Sequence, residues 1–455
     1  MTQLTRDFYK YTSLSVLGML GSAGTILADT FFVSDHLGAN GLAALNIAIC
    51  IFGLLNGLGL LLGIGGATFF SIVRARGEHQ RADQIFSTAF AASAVLGGLM
   101  CLCGLFFSRP LVQALGAEGE ILPMADVYMK TILCCAPFFL LRHLYVSFVR
   151  NDGNPRLAMA AMLAGSIANI VLDYLFIYPL EMGIFGAALA TALTPLLGVG
   201  ICLVHFLQKK NSFHLIRGSF RLSVLRQLCS FGSAAFVNEF SSGVVLLVFN
   251  LLILRYAGTT GVAAYGIVAN LALVVMAVYT GLSQGVQPLL SRAYGLGRRE
   301  EVRLVYRRSL RVCAVLGLLV TAGAIRFAPE LVSLFNHEHN ETLQAIAESG
   351  LVIYFLSFLF LGYNFMASSL FSATERAGSA FSLSFFRGCA GIILTAVLFA
   401  RLWGLPGVWA SVPAVEVMTA GLGLWLSRRT KAFRDSEEGQ QVPLPCRETL
   451  AAEEA

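Results

Sequence analysis

The sequence predicts an all-α polytopic membrane protein of twelve transmembrane helices, and three observations carry that prediction. The 455-residue chain is 56% hydrophobic with a mean hydropathy of +0.73. Only 13% of its residues are charged, against about a quarter in soluble domains. Its apolar residues fall in repeated blocks separated by short loops, each block long enough to cross a hydrocarbon core of about 30 Å as a helix.

In chain order the spans read over 12–34, 43–73, 84–107, 124–149, 157–179, 184–207, 228–254, 263–290, 309–334, 346–372, 378–400 and 404–427. The second and eighth exceed what a bilayer needs, so each is expected to tilt or to continue past the membrane. MTQLTRDFYK leads into the first block without a small-residue cleavage site, so no cleaved signal is expected. The organisation is then a short N-terminus (1–11), a first lobe (12–207), an interlobe loop (208–227), a second lobe (228–427) and a tail (428–455). From Asp435 the tail is polar and acidic, which predicts disorder.

Basic residues set the orientation. Arg74, Arg76 and Arg81 follow span two, Arg150 and Arg156 flank the loop after span four, and Lys209, Lys210, Arg217, Arg221 and Arg226 follow span six. Arg292, Arg298, Arg299, Arg303, Arg307, Arg308 and Arg311 follow span eight; Arg428, Arg429, Lys431 and Arg434 follow span twelve. The alternate side holds only Arg109, Lys130, Arg255, Arg326 and Arg401. The positive-inside rule therefore places both termini in the cytoplasm and the chain in the cell (inner) membrane. The net charge of +6 reports this topology, and no nucleic-acid partner is expected. The ten cysteines, among them Cys101, Cys134, Cys202 and Cys313, lack metal-ligand spacing and read as small apolar residues.

The two halves repeat each other. In LGANGLAALNIA, Gly38, Gly41, Ala43, Ala44 and Ile47 match Gly258, Gly261, Ala263, Ala264 and Ile267 at an offset of 220. Gly65, Ser71 and Gly77 match Gly285, Ser291 and Gly297 at the same offset. GIFGAALA from Gly183 reads against GLPGVWAS from Gly404 at 221. Six spans per half is even, so both halves enter the membrane alike: a parallel repeat with a central cleft between two bundles.

Deep acids are the expensive feature. A charged group at the bilayer centre costs about 2.5–3.5 kcal/mol on insertion scales, yet Asp29, Asp173, Glu239 and Glu416 all lie within apolar blocks. Asp173 shares a helical face with Asn169, Ser166 and Met162, the last two read as cleft-lining, while Thr25 lies one turn before Asp29. Thr191 ends the GAALAT run of span six. Carboxylate, amide and hydroxyl oxygens suit a hard cation such as Na⁺ and suit a shared proton equally well; the plainer alternative is helix-to-helix hydrogen bonding. At the repeat offsets Asp29, Asn169 and Asp173 pair with Phe249, Ala390 and Leu394, so the polar trio belongs to one half. Glu239, beside Asn238, Ser241 and Ser242, is a candidate cleft acid of the second half. Glu416 reads as a packing residue or the partner of a base. Arg142 and Arg387 need partners that the sequence does not name, and His143 reads as hydrogen-bonded structure. His337, Glu338 and His339 read as a solvated outer loop, and no P-loop is present for ATP-driven transport.

Over roughly residues 10–430 the chain resembles the MATE (multidrug and toxic compound extrusion) transporters, in particular their bacterial and archaeal branches. The likeness rests on LADTFFVSDHLGANGLAAL, VRNDGNPRLAMAAMLAGSIANIVLDYLFI, GIFGAALATAL and GLSQGVQPLLSRAYGLGRREE. It implies two six-helix lobes around a V-shaped cleft and antiport of drugs, often amphipathic organic cations, against H⁺ or Na⁺. The first-lobe cation site it implies is Asp29, Asn169, Asp173 and Thr191, with Glu239 at the span-seven acid of the second lobe. Family members with a second-lobe site also carry an acid in span ten; here LVIYFLSFLFLGYNFMASSLF has none, which favours the first lobe. The expectation is thus a monomeric efflux antiporter, not an enzyme, without cofactor beyond its coupling ion. The rival reading is a lipid or lipid-linked sugar flippase, which calls for a more cationic cavity.

Overall fold

The computed structural model describes residues 3–216, 218–336 and 340–429. The expected His337–Glu338–His339 loop and the tail from residue 430 lie outside the described residues.

The chain is helical almost throughout. Helix α1 (Gln3–Ala75) holds the first two spans, broken at Gly38, and α7 (Leu222–Gly295) holds the seventh and eighth, broken at Gly258. Between them run α2 (His79–Ala114), α3 (Ile121–Cys134), α4 (Ala136–Asn151), α5 (Pro155–Ile177) and α6 (Gly183–Leu207). After α7 come α8 (Arg299–Ser333), α9 (Glu341–Phe355), α10 (Phe358–Ala373), α11 (Ala377–Phe385), a π turn (Phe386–Ala390), α12 (Gly391–Trp403) and α13 (Leu405–Arg429).

Three expected spans are not single helices. Span four is the pair α3 and α4, bent by 49°, and span ten is the pair α9 and α10, bent by 44°. Span eleven is α11 and α12 joined by the π turn. Counting each such pair once, and α1 and α7 twice, gives twelve crossings in two lobes, as the sequence predicts.

The repeat is visible in the backbone. Gly38 (φ 63, ψ −155) and Gly258 (φ 64, ψ −159) adopt the same conformation, which only glycine enters readily. The two broken pairs fall at like places in the two halves, after Cys134 and Phe355.

Each half has its own hydrophobic core, yet the first turns of α1 and α7 are exchanged. Phe8 and Tyr11 pack into the second half's core, while Val224, Leu228 and Phe231 pack into the first. The lobes meet through glycines that bring backbones together. A Cβ at Gly65 would lie 2.1 Å from the Leu228 carbonyl, one at Gly281 2.5 Å from Val16 Cα and one at Gly295 2.6 Å from the Ile72 carbonyl. Further along the same helices Gly24, Gly53, Gly243 and Gly266 have nothing within 4 Å of that position. The lobes therefore close at one end and part toward the other, making a V-shaped cleft.

The closed end is the basic end. There Arg76 pairs with Glu375 at 3.0 Å across the lobes, and the Tyr294 hydroxyl donates to the same carboxylate at 3.2 Å. The segment between α6 and α7 is docked here. Phe213 is fully buried among Phe70, Phe86, Phe148 and Phe206. Asp152 accepts from the Ser212 amide at 2.8 Å and pairs with His205 at 2.9 Å.

Candidate cation site in the first lobe

The site is built by the way α1 lies on α5. A Cβ at Gly18 would sit 3.0 Å from Met162 Sδ, and one at Gly21 2.7 Å from a Leu163 methyl and 3.4 Å from Ser166 Oγ. The two glycines let α1 approach closely, as small residues do between membrane helices. One turn on, the Thr25 hydroxyl donates to the Ser166 carbonyl at 3.5 Å. Asp29 comes next on that face, and on α5 the facing row continues through Asn169 to Asp173. The two carboxylates lie within electrostatic reach of each other.

Asn169 and Asp173 are 1% and 0% exposed. Asn169 Nδ2 lies 3.4 Å from Thr191 Oγ1 on α6. With the amide turned over, Nδ2 donates to Asp173 Oδ2 at 3.2 Å while Oδ1 accepts from the Thr191 amide at 3.3 Å, which satisfies both ends. Asp29 Oδ1 and Asp173 Oδ1 are buried with no hydrogen-bond partner. Two orphaned carboxylate oxygens in one buried place form an acceptor-only set, chemically suited to a proton or a small hard cation.

Tyr128 on α3 is a member that sequence reasoning missed. It is buried, and its side chain lies beside Thr191, Asp29 and Asp173. The available signal was its polar tip, since a buried tyrosine hydroxyl needs a partner; the apolar row around it reads as core.

Met162 and Ser166 lie on the same face of α5. Both were expected to line the cleft, and both are buried in the α1–α5 seam, because the glycines opposite let α1 cover that face. The repeat partner of Asp173 is apolar and its neighbour is the buried one. Leu394 is 69% exposed, whereas Thr395 is 7% exposed. Thr395 is not an acid, and its hydroxyl bonds back to the Gly391 carbonyl at 2.8 Å.

In the second half the charged groups satisfy each other. Arg387 Nη1 donates to Glu416 Oε1 at 3.3 Å, Nη2 donates to Asn238 Oδ1 at 3.0 Å, and the guanidinium lies 4.5 Å from the Phe365 ring centroid. Asn364 donates to Glu416 Oε2 at 2.6 Å. Glu239 is half-buried and makes no ion pair among the described residues. His143 Nε2 pairs with Asn56 Oδ1 at 3.0 Å, and the Arg142 stem packs over Gly198.

Two like halves of membrane-crossing helices, parted by a cleft and carrying unpaired buried carboxylate oxygens in one half, define a membrane transporter rather than an enzyme. The chain belongs to the MatE family, whose model matches residues 15–175 and 234–397. It is 26% identical over 413 residues to the multidrug export protein MepA of Staphylococcus saprophyticus, covering 89% of this chain and 90% of that protein. It is likewise 26% identical over 412 residues to MepA of Staphylococcus aureus strain MRSA252, covering 89% of each. Among solved structures, a MATE protein in complex with MaL6 superposes with a TM-score of 0.88 at 23% identity, covering 94% of this chain and 96% of that one. The outward-facing conformation of a multidrug resistance MATE transporter of the MOP superfamily gives 0.88 at 22% identity with the same coverage. These structures share the fold.

Proposed function

We propose that this transporter is a secondary active exporter of amphipathic, often cationic, organic compounds, driven by exchange for H⁺ or Na⁺. The single observation that carries the coupling is the Asp29–Asp173 pair, with its two unpartnered buried oxygens in the first half and no acid at the repeat-related positions of the second. The export activity of the MepA proteins, similar over 89% of the chain, supports the substrate class.

Two carboxylates in one low-dielectric centre resist bearing two free negative charges, so one proton or one small cation is readily taken up. Uptake favours one packing of α1 on α5, and substrate in the cleft favours the other. Coupling follows from those opposite preferences. In this reading the lobes are 12–207 and 228–427, a single chain suffices, and the basic end with both termini faces the cytoplasm, so the cleft opens outward. A flippase for an anionic lipid headgroup would want free cations in the cleft; Arg387 is instead tied to Glu416.

The test is dye efflux from proteoliposomes under a pH or a Na⁺ gradient, imposed one at a time. One gradient should drive efflux in the parent protein and fail to drive it in Asp173→Asn, with folding retained. Efflux under neither gradient, or full transport by Asp173→Asn, would sink the proposal.

A further inference from the structure

At the closed end, side chains of the two halves interlock out of reach of water. Arg150, at the end of α4, is 5% exposed, and its Nη1 donates to Gln284 Oε1 of α7 at 2.7 Å. Its Nη2 lies 3.8 Å from Met162 Sδ. One turn along α7, Gln287 Nε2 donates to Thr68 Oγ1 of α1 at 2.8 Å, and both of these residues are buried. Arg150 makes no ion pair with a carboxylate among the described residues. A buried guanidinium held by a neutral amide keeps that stabilisation only while the amide is in place.

We infer that Arg150 and Gln284 are the positioning residues that latch the basic end shut, and that Gln287 and Thr68 second them. The lobes cannot part at this end without unpairing a buried cation, so the latch sets the balance between the two openings of the cleft. Met162 ties it to the cation centre. It seats the guanidinium, lies against Gly18 of α1, and shares its α5 face with Ser166, Asn169 and Asp173. A shift of α1 against α5 therefore moves the seat of Arg150. The role in transport rests on the exporter reading, whereas the latch itself is read from distances alone.

The test places nitroxide labels at His79 and Glu300, both exposed at the basic end on opposite sides of the seam, in the full-length protein in lipid. Pulsed electron resonance should give a dominant short distance. Gln284→Ala should lower the ratio of short to long populations about tenfold. The exchanged pair Arg150→Gln with Gln284→Arg should restore it, which a purely structural role would not predict. If Gln284→Ala fails to fold, Gln284→Glu serves instead and should enrich the short population. A folded Gln284→Ala with the parental distribution, a folded exchange variant that stays open, or a Gln284→Glu protein that opens would each overturn the latch. Distances that respond to Gln284 while no gradient drives efflux would remove the exporter reading and leave the latch standing.

Discussion

Arg387 and Glu416 lie 3.3 Å apart inside the second half, with side chains 11% and 6% exposed. Their pairing explains how the π turn before α12 and helix α13 tolerate opposite charges within apolar segments. A buried pair is costly to break and cheap to replace. Arg387→Ala strands Glu416 and should cost about 3–5 kcal/mol, read as a clear fall in the melting temperature of the purified protein. Arg387→Met combined with Glu416→Leu should recover most of that loss. Equal melting temperatures for the single and double variants would show that the pair contributes little.

Gly38 and Gly258 offer a cleaner measure of backbone strain. Both have φ near +63 with extended negative ψ, and a Cβ at either would meet nothing within 4 Å. Alanine there therefore introduces strain without a clash, at about 1–3 kcal/mol each. The two losses should match, since the repeat gives the two sites one geometry. Gly98 lies mid-helix in open space, so Gly98→Ala should stabilise by about 0.5–1 kcal/mol. Thermal unfolding of the three variants checks both signs.

Those glycines also mark how far the sequence was legible. Matching Gly38 to Gly258 by offset located two sharp breaks, because glycine was required there and its spacing survives in both halves. Asn169, Asp173 and Thr191 were legible as a group because polar residues stand out in apolar helices. The bends after Cys134 and Phe355 were not, since apolar residues flank both and hydropathy does not register a change of direction. The π turn at Phe386–Ala390 leaves no mark in composition, and neither does the burial of Thr395 beside the exposed Leu394. Met162 and Ser166 were placed on the right face of α5, but which neighbour covers that face depends on Gly18 and Gly21 in another helix. Partners for Arg387 were invisible for the same reason: Glu416 lies 29 residues away on a different helix.

Tyr128 tests whether the cation centre extends to α3. Its side chain lies beside Thr191, whose Oγ1 is 3.4 Å from Asn169 Nδ2. If the hydroxyl supports Thr191 through a hydrogen bond, its removal is worth about 0.5–1.5 kcal/mol. Tyr128→Phe should therefore raise the cation concentration for half-maximal efflux by roughly 2- to 13-fold, with the maximal rate little changed. Thr191→Ala should act similarly, and the double variant should fall short of the product of the two, since the residues share one network. Additive effects would place Tyr128 outside the centre.

The interlobe seam should be as sensitive to a single methyl group as any part of the molecule. A Cβ at Gly232 would lie 2.0 Å from the Leu61 carbonyl and 2.7 Å from its carbon. Both are backbone atoms, so no rotamer change relieves the overlap and the helices must move apart. Overpacking of this kind costs about 1–3 kcal/mol, and here the cost falls on one conformation, the state with its basic end closed. Gly232→Ala should therefore make cysteines placed at the basic end of the seam more reactive to a water-soluble maleimide. Gly243→Ala, on the same helix where the lobes have parted and nothing lies within 4 Å, should leave reactivity and transport unchanged. Equal labelling of the two variants would mean that the seam yields without opening, and that the glycine contacts do not set the position of the lobes.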